Sequence, residues 1–386
     1  ISAAQALQGK AAGVQVIQPS GKPGTPLSVR VRGSTSVLAG NEPLYVVDGV
    51  PTTNISGLNP SDIATMSVLK DASSAALYGA RAANGVVLIT TKRGKENEPL
   101  INFNMYYGVS NLRKTIDVLN TRRYRDLMED ISPGSIDPTR TDFNNWSDKT
   151  FGTGQTQSYH FSFSGGSDKS QYYLSIGYLG DDGIVEPAKF DRYSVRLNLD
   201  NELKSWLKVG TSIGVSRLNT QDTPDNASSG RGGVIMSALN TPPFLNTYLG
   251  ENEPGFELTD KTWYDPNPFQ PSWENPIAYM YGPEQQTIEN RILGSIYAEI
   301  AFLKHFTLRT KVGSNIDNSQ WDYYLDPFRT NYGRVNNGIG RSNKWAGFTW
   351  LWENTLDYAR SFGKHNVTGL IGNSMQKYQG NNTYME

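Results

Sequence analysis

The spacing with the most direct chemical reading is Gly210-Thr211-Ser212-Ile213-Gly214, which matches the G-x-S-x-G pattern of a hydrolase nucleophile. That chemistry needs the serine on a sharp strand-to-helix turn. Ser212 instead falls inside an alternating run from Leu207 to Ser216, so the match is read as coincidence. Gly21-Lys22-Pro23 fails as a phosphate loop, because proline stands where Ser or Thr would hold magnesium. The three histidines, His160, His305 and His365, are far apart, and none has a second histidine at metal-ligand spacing. The absence of cysteine excludes disulfides, thiolate catalysis and cysteine-ligated metals. Acidic residues are scattered through the loops and single out no glycosidase pair. Asp71 opens a run of helix formers, but its own carboxylate would repel an anion at that helix start. The expectation is a protein with no covalent chemistry, no cofactor and no metal.

With 36 basic against 37 acidic residues, the electrostatic case for a nucleic-acid binder is missing. No apolar stretch approaches the roughly 20 residues of a membrane helix. A mean hydropathy of -0.50 fits a soluble protein and fits equally a transmembrane β-barrel, in which only every second residue faces lipid. The chain begins at Ile1 without a methionine, as a mature protein or a piece of a longer one does.

The elements that would position any site fall into two textures. Residues 1–98 read as a small α+β unit: a short helix over Ala3–Lys10, strands at Val14–Ile17, Leu27–Arg32 and within Pro43–Pro51, then the unit Asp62–Gly94. In that unit Thr65–Lys70 suits a strand, Asp71 can cap a helix that Gly79 stops, and Asn84-Gly85 is a tight-turn dipeptide. Val86-Val87-Leu88-Ile89-Thr90-Thr91 is apolar on both faces, as a buried strand would be.

From residue 99 the pattern becomes strict alternation. Tyr193, Val195, Leu197 and Leu199 alternate with Ser194, Arg196, Asn198 and Asp200, and about nine such strands follow from the period-two pattern, near 100–110, 157–165, 171–180, 190–200, 206–217, 287–302, 305–318, 345–359 and 366–375. One face is apolar and the other wet. Asn102, Asn104, Arg196, Asn198, Arg309, Lys311 and Asn315 belong to the wet face. Connections alternate between short ones and long ones at about 111–156, 181–189, 219–285 and 319–344, as in outer-membrane barrels. Aromatics near strand ends, Tyr172, Tyr173, Tyr178, Trp206, Phe302, Phe306, Trp345 and Tyr358 among them, fit interfacial girdles. Tyr124, Leu127, Met128 and Ile131 share one face of a predicted helix over Thr121–Ile131. In the 219–285 connection, Trp263, Tyr264, Phe269 and Trp273 are candidates to stack on sugar rings or on a partner protein, or simply to hold the loop together.

The runs LQGKAAGVQV (7–16), SVRVRG (28–33), PLYVVDGVP (43–51) and DIATMSVLKDASSAALYGARAANGVVLITTKRG (62–94) resemble the plug domain of SusC/RagA-type TonB-dependent outer-membrane transporters. FSFSGGSDKSQYYLSIGYLGDDGIV (161–185) resembles the start of that family's barrel. The resemblance implies an N-terminal α+β plug (1–98) inside a large antiparallel membrane β-barrel of about 22 strands, of which 99–386 would be the first part. It also implies active import of an oligosaccharide or oligopeptide across the outer membrane of a Gram-negative bacterium. The implied partners are the TonB energy-coupling complex, a SusD-type surface lipoprotein and outer-membrane lipid, with transporter and lipoprotein pairs forming dimers. The family's TonB-contacting segment precedes its plug and would lie outside these residues.

Size supports an incomplete wall independently. A 95-residue domain has a radius of gyration near ~12 Å, whereas a barrel of about eight strands is filled by side chains alone. Nine strands cannot surround such a plug, so further strands are expected after Glu386 or from another chain. Lys70, Arg81, Lys92 and Arg93 are the charged plug residues expected to meet the wall. An adhesion or glycan-binding β-protein without transport is the alternative reading.

Overall fold

The computed structural model describes residues 3–9, 11, 13–31, 41–70, 76–139, 141–223, 233–252, 254–259, 261–267, 269 and 274–386. The N-terminal part holds a short 3-10 helix at Ala3–Leu7, β1 (Val14–Ile17) paired with β2 (Ser28–Val31), and a sheet of four strands. Its members are β3 (Leu44–Val47), β4 (Val50–Thr52), β5 (Ile63–Leu69) and β6 (Val86–Thr91), in the order β4-β3-β6-β5. β3 runs parallel to β6, and β5 antiparallel to it. Both faces of this sheet are covered, as the doubly apolar run of β6 requires. Val87 and Ile89 pack with Leu7, Val29, Tyr45, Val47 and Leu58, while Val86 packs with Leu44, Val46 and Ala82 on the other side.

The helical segment between β5 and β6 is a 3-10 helix over Ala76–Ala82, interrupted where Gly79 adopts φ +63° and ψ −153°. The expected cap at Asp71 lies outside the described residues. Gly85 turns the chain into β6 at φ +90°, but Asn84 is not at positive φ, so the dipeptide does not form the primed turn its sequence suggests. The β3–β4 hairpin turns through Asp48 and Gly49, both at positive φ, the signature of a two-residue primed turn.

The remaining strands form one antiparallel sheet of nine in sequence order. They are β7 (Asn97–Ser110), β8 (Gly154–Gly166), β9 (Ser170–Asp182), β10 (Lys189–Lys204), β11 (Leu207–Asp222), β12 (Pro283–Phe302), β13 (Phe306–Leu325), β14 (Ile339–Phe362) and β15 (His365–Met385). The nine expected strands are all present, and several are longer at the loop end than the alternation indicates. The 319–344 connection shrinks to 326–338, and 181–189 to 183–188. A membrane crossing needs only about 9–11 residues of strand. Toward the loop end both faces of a strand are polar, as in Asn318-Ser319-Gln320, so period two fades while the hydrogen-bond ladder continues.

The outward face carries Phe161, Ile176, Val195, Ile213 and Ile296, all exposed. Phe302, Phe306 and Tyr358 cluster at the short-turn end, with ring centroids 5.7 and 4.9 Å apart, and Tyr159, Tyr178 and Tyr193 form a second row toward the loop end at 6.3 and 5.1 Å. Two aromatic rows flanking an apolar band is the arrangement of interfacial girdles. Tyr173 does not belong to them, because it points inward and is buried.

Two long connections, 111–153 and 223–282, fold on each other. They carry α1 (Thr121–Ile131), α2 (Trp146–Thr150), α3 (Gly233–Asn240) and α4 (Pro276–Tyr281). Trp146 Nε1 donates to the Pro242 carbonyl at 3.0 Å, and Asn275, fully buried, donates to the carbonyls of Thr247 and Asp265 at 3.1 and 3.0 Å. Trp146, Val234, Ala238, Phe244, Tyr264 and Ile277 form their common core. Of the expected α1 stripe, Tyr124 and Met128 pack on this core, whereas Leu127 and Ile131 stay exposed.

Gly94, on the link between β6 and β7, lies against the backbone of β8 and β9. A Cβ there would stand 2.4 Å from the Gly165 carbonyl oxygen and 2.4 Å from the Tyr172 nitrogen. Gly94→Ala is therefore expected to cost about 1–3 kcal/mol by overpacking, because backbone cannot move aside as a side chain can. Hydrogen exchange at the β6 amides should accelerate in this variant. Gly21→Ala, where a Cβ meets nothing within 4 Å, should leave it unchanged.

Candidate functional site: the seam between plug and wall

The N-terminal sheet is held by side chains from many strands of the wall, and the densest contacts surround two of its aspartates. Asp62 ends a 3-10 turn, Pro60–Asp62, that Asn59 caps by accepting from the Ser61 N–H at 3.0 Å. Its side chain is only 2% exposed. Oδ1 accepts from the Tyr173 hydroxyl at 2.9 Å and the Ser175 hydroxyl at 2.6 Å, both on β9, and lies 3.0 Å from His160 Nε2 on β8. A carboxylate can only accept, so the proton of that imidazole sits on Nε2. His160 Nδ1 is buried without a hydrogen-bond partner among the described residues.

Asp48, at the turn of the β3–β4 hairpin, accepts from the Thr91 N–H at 2.9 Å and the Thr91 hydroxyl at 2.6 Å, and from the Ser212 hydroxyl of β11 at 2.8 Å. Between the two carboxylates lies Arg196 of β10. Its NH1 is 3.6 Å from Asp48 Oδ2 and its Nε 3.8 Å from Asp62 Oδ2, distances of an ion pair rather than of short hydrogen bonds. Gly214 opposite makes the room, since a Cβ there would stand 2.6 Å from the guanidinium.

β10 continues this contact along its whole inner edge at period two. Arg192 donates to the carbonyls of Ser56 and Leu58 at 3.3 and 3.4 Å. Asn198, completely buried, donates to Thr91 Oγ1 at 2.9 Å and the Lys92 carbonyl at 2.6 Å. Asp200 receives Arg93 NH1 at 2.5 Å and the Tyr297 hydroxyl of β12 at 2.7 Å. On the other flank Asn315 of β13 lies 3.4 Å from Thr52 Oγ1, and Arg81 donates to Gln376 of β15 at 2.7 Å. Contacts from β8 through β13, and from β15, to one small body mean that the sheet wraps around it.

Burial alone would raise the pKa of Asp62. The hydrogen bonds from His160, Ser175 and Tyr173 and the charge of Arg196 outweigh it and hold the carboxyl below the ordinary aspartate range.

The residues singled out from sequence separate into two groups. Arg93 and Arg81 stand in the seam, whereas Lys70 Nζ lies beside Gly13 within the plug, 3.8 Å from where a Cβ on that glycine would be. The loop aromatics tie loops together: Arg334 covers the Trp263 ring at 3.9 Å, Tyr264 is 4% exposed and stacks on Tyr248, and Phe269 meets Phe244 edge-on at 6.4 Å. Trp273 lies outside the described residues. Sequence reasoning misses Asp48 and Asp62, assigns Tyr173 to a girdle and gives His160 no role beyond a rejected metal ligand. An isolated aspartate in a small domain gives no signal until its partners, about 100 or more residues away in sequence, are known. No group of three or more His, Cys, Asp or Glu among the described residues could hold a metal ion.

The sequence model of the TonB-dependent Receptor Plug Domain matches residues 1–86. TonB-dependent receptor P3 of Formosa agariphila is 34% identical over 390 residues, covering 98% of this chain and 37% of the relative. TonB-dependent receptor SusC of Bacteroides thetaiotaomicron is 30% identical over 409 residues, covering 97% of this chain and 39% of the relative. Among solved structures, the RagAB peptide importer in its 'open-open' state superposes with a TM-score of 0.82 at 28% identity, over 99% of this chain and 46% of that one. The chain thus spans less than half the length of the proteins it matches.

Removing Arg196 leaves two buried carboxylates facing each other, and breaking a buried ion pair costs about 3–5 kcal/mol. Arg196→Met in the full-length protein should therefore abolish the slowest hydrogen exchange at Thr91 and Lys92 while the amides of β14 keep theirs. Equal protection in both proteins would show that the arginine holds nothing. For pH, a depressed Asp62 pKa contributes stability that is complete above the unfolded value near ~3.9. That stability is lost as pH falls through the lower folded value. Protection at Ile63 and Thr91 should consequently show no Asp62-dependent loss at neutral pH and fall only in acid, and Asp62→Asn should remove that acid dependence.

Proposed function

We propose that this chain, which belongs to the SusC/RagA-type TonB-dependent receptors, forms the plug and first part of the barrel of an importer that takes an oligosaccharide or oligopeptide across the outer membrane. The plug of residues 1–98 would be the gate and the strands from 99 to 386 the wall, with the remaining strands of a barrel of about 22 supplied beyond this part. The polar character of the seam supports this reading. Arg192, Arg196, Asn198 and Asp200 hold the plug by polar bonds that water can take over once it enters the seam, and the apolar contacts beside them, such as Val50 on Gly313, are few. The family resemblance adds the energy source, the TonB complex acting from the periplasm.

A SusD-type lipoprotein is the expected partner on the loop side. The folded body made by 111–153 and 223–282 supports it, because Leu127, Ile131, Ile235 and Met236 remain exposed on a unit that already has its own core. Pairing of two transporter and lipoprotein units belongs to the same proposal.

The test is to lock the gate. A Cβ placed on Gly57 would stand 3.3 Å from Ser216 Cβ, close to the spacing of a disulfide, about 3.5–4.5 Å. The full-length receptor carrying Gly57→Cys and Ser216→Cys should stop energised uptake when oxidised, keep binding its substrate, and recover on reduction. Uptake that continues with the bond formed, or that persists without the energy-coupling protein, would refute gating by this plug and favour adhesion or passive diffusion.

A further inference from the structure

Above the seam, toward the loop end, the plug and the wall leave a cleft of about 380 Å³, within the range of roughly 300–1,000 Å³ typical of small-molecule sites. Its floor is on the inner face of β14 and β15. The Trp345 indole lies across two glycines: a Cβ on Gly347 would stand 3.1 Å from its Nε1, and a Cβ on Gly380 would stand 2.6 Å from its far ring edge. Tyr378 reaches over the same glycine, its hydroxyl 2.7 Å from that Cβ position. The glycines let both rings lie down on the wall, and Trp345 still keeps 37% of its surface exposed. The facing side is plug, from Pro51 to Thr53.

Polar groups surround this platform, and its lining carries one guanidinium, Arg81, and one carboxylate, Asp317, so the charges balance. Asp317 faces Arg291 at 3.6 Å, and Arg81 is engaged with Gln376. Asn315 holds Thr52 only through a 3.4 Å bond, long enough to exchange for a ligand hydroxyl. Amide, hydroxyl and carboxylate groups beside a flat aromatic face suit a ring that is apolar on its faces and hydroxylated around its rim. A peptide taken up by strand addition would need free backbone groups. Here the backbone of β14 is paired on both sides, with β13 and with β15.

We infer that Trp345 and Tyr378 form a stacking platform for a neutral oligosaccharide, contacted from the plug side by Thr52 and Thr53. This rests on the importer reading and selects between its two substrate classes. The test is calorimetric titration of the purified full-length receptor with short neutral oligosaccharides of differing linkage and with peptides of matching mass. At least one oligosaccharide should bind, Trp345→Ala should weaken it about tenfold, and Trp345→Phe should keep it within about threefold. Gly380→Val, which lifts the indole without removing it, should weaken binding as Trp345→Ala does. Binding of peptides alone, of neither class, or with equal affinity in the Trp345→Ala variant would overturn the assignment. Uptake in cells separates the two readings. Energised uptake of a solute indifferent to Trp345 defeats the platform and leaves the importer standing, whereas Trp345-dependent binding without energised uptake does the reverse.

Discussion

Two aspartates of the plug and one arginine of the wall are buried together, so that losing one of them without admitting water leaves charge in a dry place, and the rest of the architecture accommodates that constraint. Asp48 and Asp62 are satisfied by groups from four wall strands, with Arg196 between them. The effective cost of burying each ion is several kcal/mol, which their attraction offsets only when the remaining lone pairs are also bonded. Tyr173, Ser175, Ser212 and Thr91 meet that need. Such an interface specifies position more than it adds stability. An apolar plug face could slide along an apolar wall, whereas these carboxylates have one place where all their donors converge.

The wall could supply those donors only because a strand places every second residue inside. Along β10 one edge reads Arg192, Ser194, Arg196, Asn198, Asp200, and the other edge Tyr193, Val195, Leu197, Leu199. One strand thereby presents an apolar face outside and a polar face to the plug. Small residues set how near the two bodies come. Gly177 admits Asn59, whose amide would otherwise meet a Cβ at 2.3 Å, and Gly313 admits Val50 at 2.8 Å.

Alternation made the nine strands and the inward direction of Arg196 and Asn198 legible, since both depend on local period alone. What it could not show was which inward residue meets which plug residue. Tyr173 and Trp345 were read as girdle aromatics because they lie near strand ends, but their parity in the register turns them to the inside. Ser212 lies inside β11 rather than on a strand-to-helix turn, and its hydroxyl is a donor to Asp48. The aromatic content of 223–282 marked the loop without saying what the rings do. A connection that long must bury something of its own to be ordered, and Tyr264 and Phe244 go into the core it shares with Trp146 of 111–153.

The β3–β4 hairpin relates the cleft to the seam. Asp48 stands at its turn, Thr52 at the end of β4, and only Gly49, Val50 and Pro51 lie between them. β4 is buried throughout, Val50 is pinned against Gly313, and Lys311 reaches over Gly49. A strand so short and so enclosed cannot bend within itself, so a displacement at Thr52 is passed to Asp48 nearly intact. The ion pair at Asp48 is already long, 3.6 Å, and Coulomb attraction falls off gently with distance whereas the hydrogen bond from Ser212 does not. A small shift of the hairpin would therefore break the Ser212 bond first and leave Arg196 still attracting the carboxylate. The hold on Asp48 would be lost at β11 before β10, while the bonds of Asp62, Asn198 and Arg93 to the wall remain.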